Sequence, residues 1–151
     1  MKNLSNHLSA LAVTAWVGGL WAVGYLAVPV LFRAQPDKQL AGMLAGQMFT
    51  WLGYLGLLCG LYLLGQRIAS AGRAALGQSE FRLVAAMLLL ALLIQFGIQP
   101  VMTDLKAQAL PADVMHSAFA DRFKMLHGVS SVLYLLESLL GAALVIKTRR
   151  A

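Results

Sequence analysis

Four long stretches of this sequence carry almost no charged side chains. They cover residues 3–32, 39–66, 83–103 and 125–146, and the one charged residue that they contain is Glu137. A helix that crosses the bilayer's hydrocarbon, about 30 Å thick, needs roughly 20 residues, so each stretch is long enough to span it. Because backbone polar groups in lipid must bond within their own segment, the sequence predicts four helices over residues 7–32, 42–65, 81–101 and 125–147.

The composition agrees with a membrane protein that forms a single domain over residues 1–151. Hydrophobic residues make up 60% of the chain, charged residues 12%, and the mean hydropathy is +0.73. Although the net charge is +6, the basic residues flank the apolar stretches and form no stripe with interleaved aromatic residues. We therefore expect a lipid bilayer as the partner and no nucleic acid.

The connections differ in their charge. One side of the predicted bundle holds both termini and the second connection. It has one acidic residue, Glu80, and seven basic residues: Lys2, Arg67, Arg73, Arg82, Lys147, Arg149 and Arg150. On the other side acids and bases nearly balance. Since basic residues are retained on the cytoplasmic side, the sequence predicts an inner (plasma) membrane protein of bacteria with both termini in the cytoplasm.

The two outer connections differ in length. The first, RAQPDKQ, is short and makes the first two helices antiparallel neighbours. The second covers residues 102–124, and from Pro111 its apolar residues recur at helical spacing: Met115, Ala118, Phe119, Phe123 and Leu126. This pattern predicts a short amphipathic helix at the outer surface, which continues or bends into the fourth helix of an all-α, antiparallel four-helix bundle.

Glycines follow one face of the second helix. Gly42 and Gly46, and then Gly56 and Gly60, form GxxxG pairs, and Gly53 falls between them. Helices in lipid associate through close backbone approach, so this glycine seam predicts packing, either within the chain or with a second copy or another membrane protein. Three tryptophans, Trp16, Trp21 and Trp51, lie too deep for an interfacial belt, so we expect them to pack inside or to stack on a planar ligand.

The fourth helix carries a polar stripe. At about 100° per residue, its polar residues fall on one arc of the helix: His127, Ser130, Ser131, Tyr134, Glu137 and Ser138. We expect this arc to face the bundle, with Glu137 about 18 Å from the outer end and thus near mid-membrane. Because the spanning stretches contain no Lys or Arg, a neutral acid bonded to Tyr, Ser, Gln or a backbone carbonyl is the expected state.

Two interpretations of this polar layer stay open. Hydrogen bonds between helices explain it, but it could also form a cofactor or small-molecule site from His127, Gln95, Gln99, Tyr134 and Glu137. Imidazole and thioether ligands suit copper(I), and the outer residues that could bind it are His127, His116, Met125 and Met102. His7 and His127 lie a membrane apart, so they cannot both bind one haem.

Three segments resemble a known family. They are WVGGLWAVGYLAVPVLF (residues 16–32), LAGMLAGQMFTWLGYLG (residues 40–56) and FKMLHGVSSVLYLLESLLGAAL (residues 123–144). They resemble the bacterial domain-of-unknown-function family forty-one forty-nine, which is similar to a eukaryotic transmembrane protein linked to platinum-drug resistance. The chain is more distantly similar to copper-resistance membrane proteins and haem-pathway oxidases with a Trp-x-Gly-Gly helix. In those a histidine lies about two turns before the tryptophan, whereas here Ser9 stands seven residues before Trp16.

The function predicted from these features is that of a membrane protein without catalytic residues. The sequence contains no HExxH, GxSxG, P-loop or dinucleotide-binding motif. We expect the protein to act through helix association or as a partner subunit. The alternative is a membrane protein that binds or transports copper or haem, with its site in the outer half of the bundle around His127.

Overall fold

Four long helices form the framework of the part of this protein that the structure describes. The computed structural model describes residues 2–148, and side chains from Leu4 onward, and every regular element within these limits is helical. Four helical segments are long and apolar enough to cross a membrane, and we call them spans one to four: Leu4–Ala34, Lys38–Gly77, Ser79–Ala109 and Ala120–Thr148. The prediction of an all-α protein with four membrane-spanning helices is confirmed.

The spans are built from regular α-helices joined by tighter or wider turns. The α-helices are α1 (Lys2–Ala22), α2 (Val28–Ala34), α3 (Lys38–Ala71), α4 (Ser79–Leu92), α5 (Gln99–Ala109) and α6 (Ala120–Thr148). Spans one and three each contain a π-helical turn, Val23–Ala27 and Leu93–Ile98. Each π turn ends two residues before a proline, Pro29 or Pro100, which has no N–H for the carbonyl one turn earlier. The wider turn therefore lies where the regular hydrogen-bond ladder is interrupted.

Span two has well-defined ends. The Asp37 carboxylate accepts hydrogen bonds from the backbone N–H groups of Gln39 (2.9 Å) and Leu40 (3.1 Å), which caps α3. At the other end Gly72 has a φ of +57°, in the region that favours glycine, and a 3₁₀ turn, Gly72–Gly77, follows. The close connection at Asp37 makes spans one and two antiparallel neighbours, as predicted.

The spans pack in a ring in which span one contacts spans two and four, and span three contacts the same two. The largest fully buried side chains come from three of the four spans: Trp16, Leu20, Met87 and Leu144. Span two contributes mainly small residues to the interior, including Ala41, Ala45, Gly56 and Gly60. Large side chains from three spans therefore face a surface of span two that is mainly small, with Leu52 and Leu63 as its large buried residues.

The connection between spans three and four differs from the prediction. Span three continues to Ala109, so the connection is shorter than expected and contains a single 3₁₀ turn, Val114–His116, before α6 begins at Ala120. Val114 packs with Leu105 and Ala109, and Phe119, Phe123 and Leu126 lie against this cluster. The apolar residues of the predicted amphipathic helix are thus largely covered by the extension of span three, while Met115 stays exposed.

Charged residues connect spans two and three at the opposite end of the bundle. Arg67 of span two forms an ion pair with Glu80 of span three. Arg73, Arg82 and Lys147 lie at the same end, which is the end predicted to face the cytoplasm. The Lys2 side chain, Arg149 and Arg150, which also entered that prediction, lie outside the described residues.

The fold predicts that the connection before α4 and the connection before α6 lie on opposite sides of the membrane. In a Cys59→Ser background, a cysteine introduced at Arg73 and one introduced at Ala112 replace exposed residues of these two connections. A membrane-impermeant maleimide applied to sealed vesicles should label one variant, and the other only after permeabilisation. Labelling of both variants from one side would contradict the four-span topology.

Candidate functional site

Glu137 lies in the interior and bonds to span one. Its side chain is 3% exposed, and its Oε1 accepts a hydrogen bond of 3.1 Å from the indole Nε1–H of Trp16, which is 1% exposed. The two residues are separated by 121 positions in the chain, so this contact joins spans one and four. No salt bridge to Glu137 is present among the residues the structure describes. The neutral state of the carboxyl group stays a prediction. Its hydrogen-bond partner is an indole, whereas Tyr, Ser, Gln or a backbone carbonyl was expected.

Two glycines of span two make the space that Trp16 occupies. A Cβ on Gly56 would lie 2.5 Å from Trp16 Nε1, and a Cβ on Gly60 would lie 3.0 Å from the far edge of the same indole. Real Cβ atoms do not approach neighbours as closely as 2.5 Å, so a side chain at position 56 would displace the ring. The second GxxxG pair therefore serves a contact within the chain, and Trp16 brings spans one, two and four together.

Tyr134 forms a second contact between spans one and four, one turn from Glu137. Its hydroxyl donates a hydrogen bond of 2.6 Å to the backbone carbonyl of Leu20. Its ring lies against Gly24, where an added Cβ would overlap it, and packs edge to face on Phe49 with centroids 5.3 Å apart. A tyrosine that is half-buried in this way has both its ring and its hydroxyl satisfied by protein.

Gln95 bonds to span two instead of span four. It lies in the π turn of span three, is 6% exposed, and donates through Nε2 to the backbone carbonyl of Thr50 at 3.4 Å. Its amide also lies directly against Gly53, where a Cβ would overlap it. Three glycines of the predicted seam, Gly53, Gly56 and Gly60, are thus covered by side chains of this chain.

Lys106 joins three spans at the end of the bundle that is predicted to face outward. Its Nζ donates a hydrogen bond of 3.0 Å to the carbonyl of Gly42 in span two and lies 5.5 Å from the centre of the Phe123 ring in span four. The ammonium group lies beside Gly46, where a Cβ would be 3.6 Å from it, an ordinary van der Waals contact. Lys106 was not selected from the sequence, although one feature could have indicated it. The apolar face of the helix continues past the predicted end of span three, and a lysine there can lay its apolar stem along that face.

The polar stripe of span four faces inward only in part. Tyr134, Glu137 and Ser138 lie inside, but His127 and Ser131 are exposed. The hydroxyls of Ser130 and Ser131 donate to the carbonyl of His127 (2.9 and 2.8 Å), so their own helix satisfies them and does not require a neighbour. The expectation that His127 faces the bundle is therefore wrong: its ring is stacked on that of Phe123 at the surface.

The other predicted ligands are dispersed. His116 is exposed in the 3₁₀ turn, Met125 is 62% exposed and Met102 is buried, while Gln99 is only partly exposed. Within residues 2–148 no three His, Cys, Asp or Glu residues lie close enough together to hold a metal ion. The structure therefore brings Gln95, Tyr134 and Glu137 into the bundle, each bonded to a backbone or side chain of another span, and leaves the histidines at its surface.

Trp16 was the central residue that the sequence did not single out. Its depth was recognised, and a tryptophan buried at that depth needs an acceptor for its N–H. Glu137 was the acidic group within the apolar stretches. The two signals were present separately, but no local pattern connects positions that are 121 residues apart.

Because the Trp16 indole lies directly against Gly56, a side chain introduced at Gly56 should have a steric effect. Gly56→Ala should lower the unfolding free energy by about 1–3 kcal/mol, because the added methyl overlaps the indole and weakens its bond to Glu137. Gly65→Ala, in the same helix, is the matched control, since a Cβ at Gly65 meets no atom within 4 Å. Reversible unfolding in mixed detergent micelles measures both. Equal stability of the two variants would contradict the close contact.

Removal of the indole N–H tests the bond itself. Trp16→Phe leaves a buried carboxyl oxygen without its donor, and such a loss costs about 1–3 kcal/mol. Glu137→Gln retains a side-chain oxygen that can accept from Trp16, so it should cost clearly less. Trp51→Phe changes an exposed indole in the same manner and should leave the unfolding free energy unchanged. A Trp16→Phe variant as stable as Trp51→Phe would show that the bond contributes nothing.

Comparison with known proteins places the chain in a family. A family model described as Domain of unknown function (DUF4149) matches residues 11–111, which is more than half of the 151 residues. The match includes Trp16, the glycines of span two and Gln95, whereas span four with Glu137 lies beyond it. No curated protein and no solved structure matches the chain. This polytopic membrane protein belongs to the DUF4149 family, as its sequence resemblance predicted.

Proposed function

We propose that this protein acts by helix association in the bacterial inner membrane, as a non-enzymatic subunit that pairs with a second copy of itself. The observation that carries the proposal is an open groove between the outer halves of spans one and two, with a volume of about 640 Å³. The residues that line it are almost all apolar: Ala27, Val30, Leu31, Ala34, Leu44, Gln47, Met48 and Trp51. The exception is Gln47, which is exposed.

Gln47 favours a protein partner over lipid. It lies nine residues into α3, about 14 Å along the helix from Lys38, on a surface that lipid chains would otherwise cover. Lipid offers no hydrogen bond to a side-chain amide, and such side chains bond across helices when a partner is available. An amide both donates and accepts, so two copies related by a twofold axis can exchange a pair of hydrogen bonds through Gln47.

The shape of the groove also suits a helix. Ala27 and Ala34 line it at a spacing of seven residues, which keeps small side chains on one face of span one. Trp51 is 74% exposed at its edge and supplies a large apolar surface. Small residues allow the close approach of backbones and the aromatic side chain adds contact area, as expected for helix pairs in membranes.

The interior supports the same proposal from another direction. The buried polar groups that could serve chemistry, Glu137, Tyr134 and Gln95, each bond to a neighbouring span. These bonds hold the ring together and leave its outer surface to interact with other molecules. In this proposal the polar layer maintains the shape of the groove and takes part in no reaction.

Filling the groove should separate the copies. Ala27→Phe places a large side chain in the groove, and Gln47→Leu removes the amide, so each should weaken self-association at least tenfold, about 1.4 kcal/mol. Ala22→Phe is the matched control, because Ala22 is exposed on span one outside the groove. Energy transfer between donor-labelled and acceptor-labelled copies in liposomes, as a function of protein density, measures the association. No energy transfer above random proximity for the unchanged protein would overturn the proposal.

A copper or haem site at His127 is the second candidate. What favours it is the exposure of the imidazole, for which no hydrogen bond is found among the described residues. Visible absorption and metal analysis of the protein in mild detergent test it. A Soret band or stoichiometric copper that His127→Ala removes would support this candidate; a colourless, metal-free protein would exclude it.

The proposed orientation places both termini in the cytoplasm. The end that carries Arg67, Arg73, Arg82 and Lys147 has the excess of basic residues among those described, which supports its retention on the cytoplasmic side. In the labelling experiment above, the cysteine introduced at Ala112 should then react in intact cells. Reaction of the cysteine at Arg73 instead would reverse the orientation and leave the groove on the cytoplasmic half.

A further inference from the structure

A second groove lies at the opposite end of the bundle, between spans three and four. It has a volume of about 320 Å³ and is lined by Ser79, Arg82, Leu83, Ala143 and Lys147. Arg82 comes from the first turns of α4 and Lys147 from the last turn of α6. Two cations from different spans therefore flank one opening, and apolar residues form the wall between them.

Neither cation has a carboxylate partner in the part of the chain that the structure describes. The ion pairs there are Arg67 with Glu80 and Lys124 with Asp121. Glu80 is the acid nearest in sequence to Arg82, but its carboxylate is engaged by Arg67. The groove therefore carries a net positive charge and complements an anion.

The position of the groove identifies the kind of anion. Arg82 and Lys147 stand at the ends of the apolar segments of spans three and four, where a membrane helix meets the headgroup layer. Leu83 and Ala143 lie next to them on the membrane side and can contact an acyl chain. The N-terminus of α4 has no side-chain cap, and its unbonded N–H groups add partial positive charge near Ser79.

We propose that this groove binds an anionic phospholipid, whose headgroup phosphate lies between Arg82 and Lys147 and whose acyl chain follows Leu83 and Ala143. Basic pockets between membrane helices on the cytoplasmic side are suited to such headgroups. A bound lipid of this kind would connect spans three and four at the end of the bundle that carries Arg82 and Lys147. The proposal does not depend on self-association through the first groove.

The test measures lipid binding to the full-length protein in a neutral detergent. Phosphatidylglycerol and phosphatidylcholine are titrated separately, and the bound lipid is counted by native mass spectrometry. Phosphatidylglycerol should bind more tightly, and the double variant Arg82→Gln/Lys147→Gln should lose about 30-fold in affinity, roughly fivefold for each charge. The control Arg73→Gln/Lys124→Gln removes the same number of charges outside the groove and should bind as the unchanged protein does.

Further measurements keep the outcomes distinct. Thermal unfolding in phosphatidylcholine micelles should be the same for both double variants, which shows that the substitutions leave the fold intact. Inorganic phosphate at millimolar concentration should fail to displace the lipid; displacement by phosphate would assign the groove to a free anion and overturn the proposal. Equal affinity for the two lipids, or equal loss of affinity in both double variants, would overturn it as well.

Discussion

The hydrogen bond between Trp16 and Glu137 is the contact on which the arrangement of the spans depends. Inside a bilayer neither the indole N–H nor the carboxyl group can form a hydrogen bond with water, so each needs a partner from another span. Their bond sets the rotation of spans one and four about their axes, and the bulk of Trp16 then requires span two to present Gly56 and Gly60. One polar contact thereby determines which faces of three spans point inward. Span three closes the ring, and Met87 fills the centre beside Gly141.

Polar contacts between spans recur at several depths of the bundle. Gln66 and Ser5 connect spans one and two near one end, Gln95 connects spans two and three, and Lys106 connects spans two, three and four at the other end. Apolar side chains alone give little preference for one pairing of helices in lipid, because lipid chains are equally apolar. The distribution of these polar contacts over all depths therefore specifies the order of spans around the ring. Gly53 provides the space that the Gln95 amide needs, because a Cβ there would overlap it.

The spans themselves followed from the sequence, because hydropathy and charge are local properties and a span is a local element. The partners of the polar residues did not follow, because they depend on the rotation of each helix relative to others far away in the chain. Glu137 was correctly placed inside, yet its partner Trp16 could not be chosen among the available groups. His127 was placed inside because it lies on the same arc as Tyr134. The structure leaves it exposed, and the hydroxyls of Ser130 and Ser131 bond to their own helix.

The order of the ring also determines how the two grooves can be used together. The apolar groove lies on the edge formed by spans one and two, and the basic groove lies on the edge formed by spans three and four. These edges are on opposite sides of the ring, because span one contacts spans two and four, and span three contacts the same two. A second copy seated on spans one and two would therefore leave spans three and four facing lipid, where an anionic phospholipid can reach Arg82 and Lys147. The two proposed interactions do not compete for the same surface, so a dimer would carry one lipid site at each of its outer edges.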